Sequence, residues 1–426
     1  MPDQSSPAIA ILTIGNELLD GRVRDTNAST LADLLRARGF VIESIATVND
    51  DARAIKDALS FLFSRTTCVL VSGGLGPTSD DLTRDAVAEF FGVPLQRDPN
   101  VAAHLERFFA ARKRTMNATN LRQADFPLGA EVLPNAQGTA PGFTLCRASH
   151  NQRIFCLPGV PHELLHMCTA EVLPLLSKYF QSLTPQVTGM LKIFGRTESD
   201  VAAAIERIVL PERLHVGYRA SFPEVHLTFV SPCGDSESVH AALNEARAAI
   251  GSEYVFTEDP EESIEALLVK QLKATGHTLT CAESCTGGMI AGRITSVAGA
   301  SEVFHGSIVS YQNQVKVDQL GVSASILDRH GAVSAECAEA MARGALDKFL
   351  ATYALAVTGI AGPSGGSVEK PVGTFYVALA TNDSCQAFRY FFMGSRGRIR
   401  TYAATTALDV IRRALAGHPL RNGTPS

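Results

Sequence analysis

The stretch CAESCTGG (residues 281–288) sets Ser284, Cys285 and Thr286, three side chains able to act as nucleophiles, directly ahead of the paired glycines Gly287 and Gly288. A hydroxyl nucleophile needs a base to take its proton and donors to hold the oxyanion that forms. SYQNQVK (310–316) supplies Tyr311 and Lys316, and a lysine whose pKa is lowered by burial can serve as base for a serine. Free backbone N–H groups at residues 285–288 would hold the oxyanion. TGIAGPSGGS (358–367) offers Thr358, Gly362, Gly365 and Gly366 for close ligand contact, and RGRIR (396–400) offers Arg396 and Arg400 for a phosphate. Ser284 is the first choice of nucleophile and Thr286 the second; Cys285 lacks a histidine in a matching motif to form its thiolate. Each feature also has a plain structural reading: Ser284 or Thr286 as a helix N-cap, a snorkelling lysine, a surface loop, a solvated helix start.

A second candidate site lies early in the chain. VLVSGGLGPTSDDLTRD (69–85) runs from a strand through Gly73, Gly74 and Gly76 to Asp80 and Asp81 and into a helix. Glycines let backbone amides approach a phosphate, and the two carboxylates could hold Mg²⁺ against it. The stretch is neither a Walker A loop nor a G-x-G-x-x-G fingerprint, and a structural turn explains it equally well. HELLH (162–166) matches the H-E-x-x-H zinc pattern, but Thr169 and Val172 stand where the longer motif needs Gly and His. A zinc site is therefore not expected there.

These residues have to be positioned by regular elements. AIAILTIG (8–15) and CVLVS (68–72) read as buried strands, and TNASTLADLLRARG (26–39) as a helix with a polar start and a terminal glycine. Such alternation implies a parallel sheet covered on both faces. The middle stretch reads β-α-β-β-α-β, a split βαβ unit of the ferredoxin type. After TEDPEES (257–263) strands and helices alternate again. The expected fold class is α/β: two α/β domains (1–180 and 258–426) flanking a small ferredoxin-like α+β domain (186–257). A net charge of −5 argues against a nucleic-acid surface, and no apolar run reaches the ~20 residues that span a bilayer. Nine irregularly spaced cysteines fit no disulfide framework, and the N-terminus shows no cleavage pattern, so a cytoplasmic protein is expected.

Taken together the motifs resemble the CinA family. TIGNELLDG, SGGLGPTSDDLT, NAQGTAPGF (135–143) and PGVPHE (158–163) are similar to its molybdopterin-binding-like domain. AESCTGG, YQNQVK, GVSASILDRHGAVS, TGIAGPSGGS and KPVGTFYVALA are similar to its C-terminal nicotinamide mononucleotide amidohydrolase domain over about 261–415. The resemblance implies Mg²⁺-dependent ADP-ribose hydrolysis in the first domain, with Glu17 and Asp50 joining Gly73, Gly74, Gly76, Asp80 and Asp81. Asp50, Asp80 and Asp81 would be the metal ligands. It implies amide hydrolysis without a cofactor in the last domain, with Ser284, Lys316, Tyr311 and Thr286 as the catalytic set. Gly287, Gly288, Thr358, Gly362, Gly365, Gly366, Arg396 and Arg400 would bind substrate. The expected partners are small nucleotides (nicotinamide mononucleotide, ADP-ribose), with no nucleic acid or membrane, and a homo-oligomer is expected. A nucleotide- or pterin-binding sensor without turnover is the alternative. One departure falls near the site: Gly394-Ser395-Arg396 stands where the family often has Gly-Asp-Arg.

Overall fold

The computed structural model describes residues 8–113, 115–180, 185–211 and 213–420. The chain divides into two compact units, 1–187 with 232–235, and 188–231 with 236–426.

The first unit is built on a six-stranded sheet. Its order is Val41–Val48, Ala8–Ile14, Cys68–Ser72, Gln152–Leu157, Gly142–Arg147, Glu131–Leu133. The first four strands run parallel and the last two antiparallel. Strand side chains alternate between faces, and Ala8–Ile14 shows this clearly. Ala10, Leu12 and Ile14 pack with Ile55, Leu59 and Leu62 on one face. Ile9 and Ile11 pack with Leu31, Leu35 and Phe40 on the other. A sheet buried on both sides leaves its strand ends as the accessible places, and the Gly-rich loop leaves the end of Cys68–Ser72.

The second unit holds two sheets. Its five-stranded sheet has the order Phe304–Val309, Leu279–Glu283, Tyr353–Gly359, Thr374–Ala380, Cys385–Phe391. The first three strands are parallel and the last two antiparallel. One face is small: Ala282, Ala354, Ala356, Ala378 and Ala380 let the Ala335–Phe349 helix pack close. The other face, with Cys281, Leu355, Val357 and Val377, packs under the Ile264–Thr275 and Arg396–Leu415 helices.

The β-α-β-β-α-β stretch forms a four-stranded sheet in the order His215–Ser221, Glu224–Ser231, Val187–Ile193, Val255–Thr257. Where the sequence suggests three domains, this sheet shares a core with the C-terminal one. Phe194 and Phe256 lie in one buried cluster with Leu268, Leu272 and Tyr402. Lys192 Nζ donates to Glu262 O at 3.0 Å, and buried Asp409 accepts from Arg412 Nε (2.8 Å) and Arg413 Nε (2.6 Å). Arg412 also donates to Glu253 O. Among the described residues no helix is long and apolar enough to cross a membrane.

Candidate active site

In the five-stranded sheet the chain runs from Leu279–Glu283 outward to Phe304–Val309 and then back to Tyr353–Gly359 on the other side. Strand order reverses at Leu279–Glu283, and such a switch point opens a crevice beyond the carboxyl ends of the strands. The candidate residues sit at those ends. Ser284 follows the middle one of the three parallel strands, Ser310 and Tyr311 follow one neighbour, and Thr358 lies at the end of the other.

The turn after Glu283 is fixed by backbone and glycine. Ser284 N–H donates to Val357 O at 2.9 Å. Gly287 (φ 60) and Gly288 (φ 86) both take left-handed conformations, which two successive non-glycine residues would adopt only under strain. Glu283, fully buried, accepts from Ile290 N at 3.0 Å, Ala291 N at 2.9 Å and Ser307 Oγ at 3.3 Å. Its carboxylate thus caps the Met289–Thr295 helix and ties the turn to the sheet. The helix start is therefore already satisfied, and the amides of Cys285, Thr286 and Gly288 are the ones without a partner among the described residues.

Lys316, on the Asn313–Leu320 helix, is 1% exposed. Its Nζ lies 3.2 Å from Ser284 Oγ, 2.7 Å from Ser310 O and 3.4 Å from Tyr311 O. Burial pushes this amine below the ordinary lysine value of 10.5. Burial pushes the Cys285 thiol up to about 12, which works against thiolate formation and favours the Ser284 hydroxyl as nucleophile. Thr286 is fully buried, and its hydroxyl has no partner among the described residues.

Ser284, Tyr311, Lys316, Thr358 and Arg396 line one cleft of about 210 Å³ with Asn313, Ala332 and Val333. Arg396 bridges its mouth, donating to Gly362 O (2.7 Å) and to the Tyr311 hydroxyl (2.9 Å). Other expected ligand contacts are arranged differently. Arg400 turns its guanidinium to Cys285 O (3.1 Å) and Thr286 O (2.7 Å), bracing the turn. The Thr358 hydroxyl donates to Ala332 O at 2.7 Å. Gly365 and Gly366 are exposed and lie outside the cleft lining. Sequence reasoning missed Glu283, Asn313 and Lys370; Lys370 Nζ holds the Ala332–Val333 wall through His330 O (3.0 Å) and Val333 O (2.7 Å).

In the first unit the Gly-rich loop is held by Asp81. Its carboxylate accepts from Gly76 N at 2.7 Å, Thr78 N at 2.8 Å and the Thr78 hydroxyl. A Cβ on Gly76 would stand 2.4 Å from that carboxylate, so any larger residue there would have to displace Asp81 from the loop. Arg84, buried beneath, donates to the carbonyls of Leu75 and Gly76. Asp50 accepts from Asn16 N at 2.8 Å. Its partial burial raises its carboxyl above the usual range despite that bond, and the charges of Glu17, Asp80 and Asp81 push the same way. Four carboxylates thus share one negative field that a divalent cation would relieve. No group of three or more His, Cys, Asp or Glu converges as a ready-made metal cage among the described residues. Mg²⁺ does not need one, since it often binds one or two carboxylates plus phosphate oxygens. In HELLH, Glu163 accepts from Asn135 Nδ2 at 2.6 Å, which assigns it to the 135–138 turn.

Fold and site define a class: an α/β chain with a serine–lysine pair at a sheet switch point and, in its other unit, a Gly-rich loop held by an aspartate. Family models match accordingly, a "Probable molybdopterin binding domain" over residues 10–178 and a "CinA C-terminal domain" over 261–415. A CinA-like protein of Citrifermentans bemidjiense is 44% identical over 96% of this chain and 97% of its own. One of Anaeromyxobacter dehalogenans is 41% identical over 96% and 99%. The chain belongs to the CinA family. Among solved structures, a competence/damage inducible protein of Agrobacterium tumefaciens is 40% identical, covering 36% of this chain and 93% of its own, with a TM-score of 0.35.

Proposed function

We propose that the C-terminal unit hydrolyses the carboxamide of nicotinamide mononucleotide to nicotinate mononucleotide and ammonia. The observation that carries this reading is the buried Lys316 Nζ 3.2 Å from Ser284 Oγ in a cleft fit for a small ligand. Neutral Lys316 takes the hydroxyl proton as Ser284 Oγ bonds to the carboxamide carbon. The oxyanion settles against the free amides of Cys285 and Thr286. Lys316 returns the proton to the amide nitrogen, which leaves as ammonia, and a water activated by the same amine cleaves the ester. Arg396 at the mouth suits the 5′-phosphate, and Tyr311 lies beside the ring or the proton path.

For the first unit, the shared carboxylate field supports Mg²⁺-dependent hydrolysis of ADP-ribose. Asp50 and Asp80, with Glu17 nearby, would hold the cation, which would supply charge neutralisation at the pyrophosphate. Asp81 keeps the loop in shape. Ammonia release from nicotinamide mononucleotide and phosphate-ester products from ADP-ribose, each with and without a chelator, test both readings. Chelation should stop ADP-ribose hydrolysis and spare ammonia release. Ammonia release that is lost on chelation and restored by Zn²⁺ would overturn the serine–lysine mechanism. Nucleotide binding without any turnover would favour a sensor.

A further inference from the structure

None of the residues lining the Ser284 cleft comes from the four-stranded sheet of the same unit. Yet that sheet touches the segment that presents Arg396. Phe222, in the turn between His215–Ser221 and Glu224–Ser231, has its ring centroid 5.5 Å from that of Phe392. The Arg398 guanidinium lies over the Phe222 ring, 4.2 Å from its centroid. Phe392 in turn stacks on Tyr402 at 4.3 Å and 15°, and Tyr402 meets Phe194 of the same sheet at 5.5 Å. Two rings of the sheet therefore bracket two rings of the C-terminal segment.

The turn inside this bracket has few contacts of its own, whereas the helix after it is held by buried Ile399 and by the bonds of Arg396 and Arg400. Between the Cys385–Phe391 strand and the Arg396–Leu415 helix runs a four-residue turn, in which Met393 is 82% exposed. Its internal anchor is Phe392, whose N–H donates to Gly373 O at 3.0 Å and whose ring packs beneath Gly394. Arg396 is the first helical residue after this turn, and its guanidinium reaches across the cleft mouth to Gly362 O and Tyr311. Any shift of the turn is passed to that guanidinium, because a long side chain amplifies a change in the direction of its backbone.

We propose that Phe222 is a positioning residue. By gripping Phe392 and Arg398 it fixes the start of the Arg396–Leu415 helix, so that Arg396 stands ready for the phosphate of the substrate. The small sheet thereby tunes substrate affinity without entering the cleft. This proposal rests on the reading of Arg396 as the phosphate contact of a nicotinamide mononucleotide site.

Hydrogen–deuterium exchange of the full-length chain tests the grip directly, read on peptides covering residues 392–400. One ring–ring and one cation–ring contact at an exposed turn set local opening by about 5- to 30-fold. Phe222→Ala should therefore speed exchange there by about that factor and leave the Ala335–Phe349 helix unchanged. Phe222→Tyr should restore protection, and Arg398→Ala, which keeps the ring, should give a smaller acceleration. Equilibrium binding of nicotinamide mononucleotide to the same variants should weaken several-fold in Phe222→Ala and recover in Phe222→Tyr. Unchanged exchange at 392–400 would overturn the proposal whatever the activity. Faster exchange with unchanged binding would also overturn it, leaving Phe222 a purely structural contact. Should the wild-type chain release no ammonia, the amidase reading falls, while exchange and nucleotide binding still decide the role of Phe222.

Discussion

Replacing Lys316 by methionine keeps most of the side chain's length and removes its lone pair. A neutral amine has two hydrogens and one lone pair. The carbonyls of Ser310 (2.7 Å) and Tyr311 (3.4 Å) can take the two hydrogens, which leaves the lone pair facing the Ser284 hydroxyl at 3.2 Å. Loss of a positioned general base typically costs about 10²–10⁴ in rate, and Lys316→Met should lose at least that much kcat. Lys316→Arg should not rescue it, since guanidinium stays protonated. Stability behaves differently. The substitution removes hydrogen bonds worth about 0.5–1.5 kcal/mol each but also removes a buried amine that resists its charge. The sign follows from linkage: between the lowered pKa of Lys316 and 10.5 the unfolded chain binds the proton and the folded chain does not. Wild-type stability therefore gains with rising pH across that window, and the gain is absent in Lys316→Met. Ammonia release measured against pH, with thermal melts of the same samples, checks both parts. Wild-type turnover should rise through the lowered lysine pKa. Near-normal kcat in Lys316→Met, or an active Lys316→Arg, would refute the reasoning.

Four further outcomes are expected. Thr286→Val removes a buried hydroxyl that has no partner among the described residues; thermal melts should show no loss, or a gain of about 1 kcal/mol, with turnover retained. Asp81→Asn weakens three bonds that shape the Gly-rich loop and should destabilise the first unit by about 2 kcal/mol in denaturant titration. Asp80→Asn should leave the melt unchanged while raising the Mg²⁺ concentration needed for ADP-ribose hydrolysis. A truncated chain beginning near Asp259 loses Phe194 and Phe256 from the shared core, about 3–6 kcal/mol of burial, so it should still fold but melt well below the full-length unit.

Much of this was legible in the sequence because it depends on local pattern. Alternating buried strands and helices with polar starts specify the α/β layers, and CAESCTGG followed by a helix specifies the strand–turn–helix junction at Ser284. Lys316 could be paired with Ser284 because both follow the ends of strands, although they are 32 residues apart. What stayed hidden depends on where a side chain turns after the chain has folded. Nothing in its spacing tells that Glu283 caps a helix, that Asp81 occupies the loop amides a phosphate was expected to use, or that Arg400 braces a turn 115 residues away. The shared core under the four-stranded sheet was hidden for the same reason: Phe194 and Phe256 read as ordinary strand residues of a separate domain.

The serine–lysine pair is tested most directly by initial rates of ammonia release from nicotinamide mononucleotide by the wild-type chain, Ser284→Ala, Lys316→Met and the double variant. Members of one catalytic unit are strongly non-additive. The wild-type chain should turn over, each single substitution should lower kcat by orders of magnitude, and the double variant should be little slower than the slower single one. Ser284→Ala turning over at the wild-type rate would contradict the account.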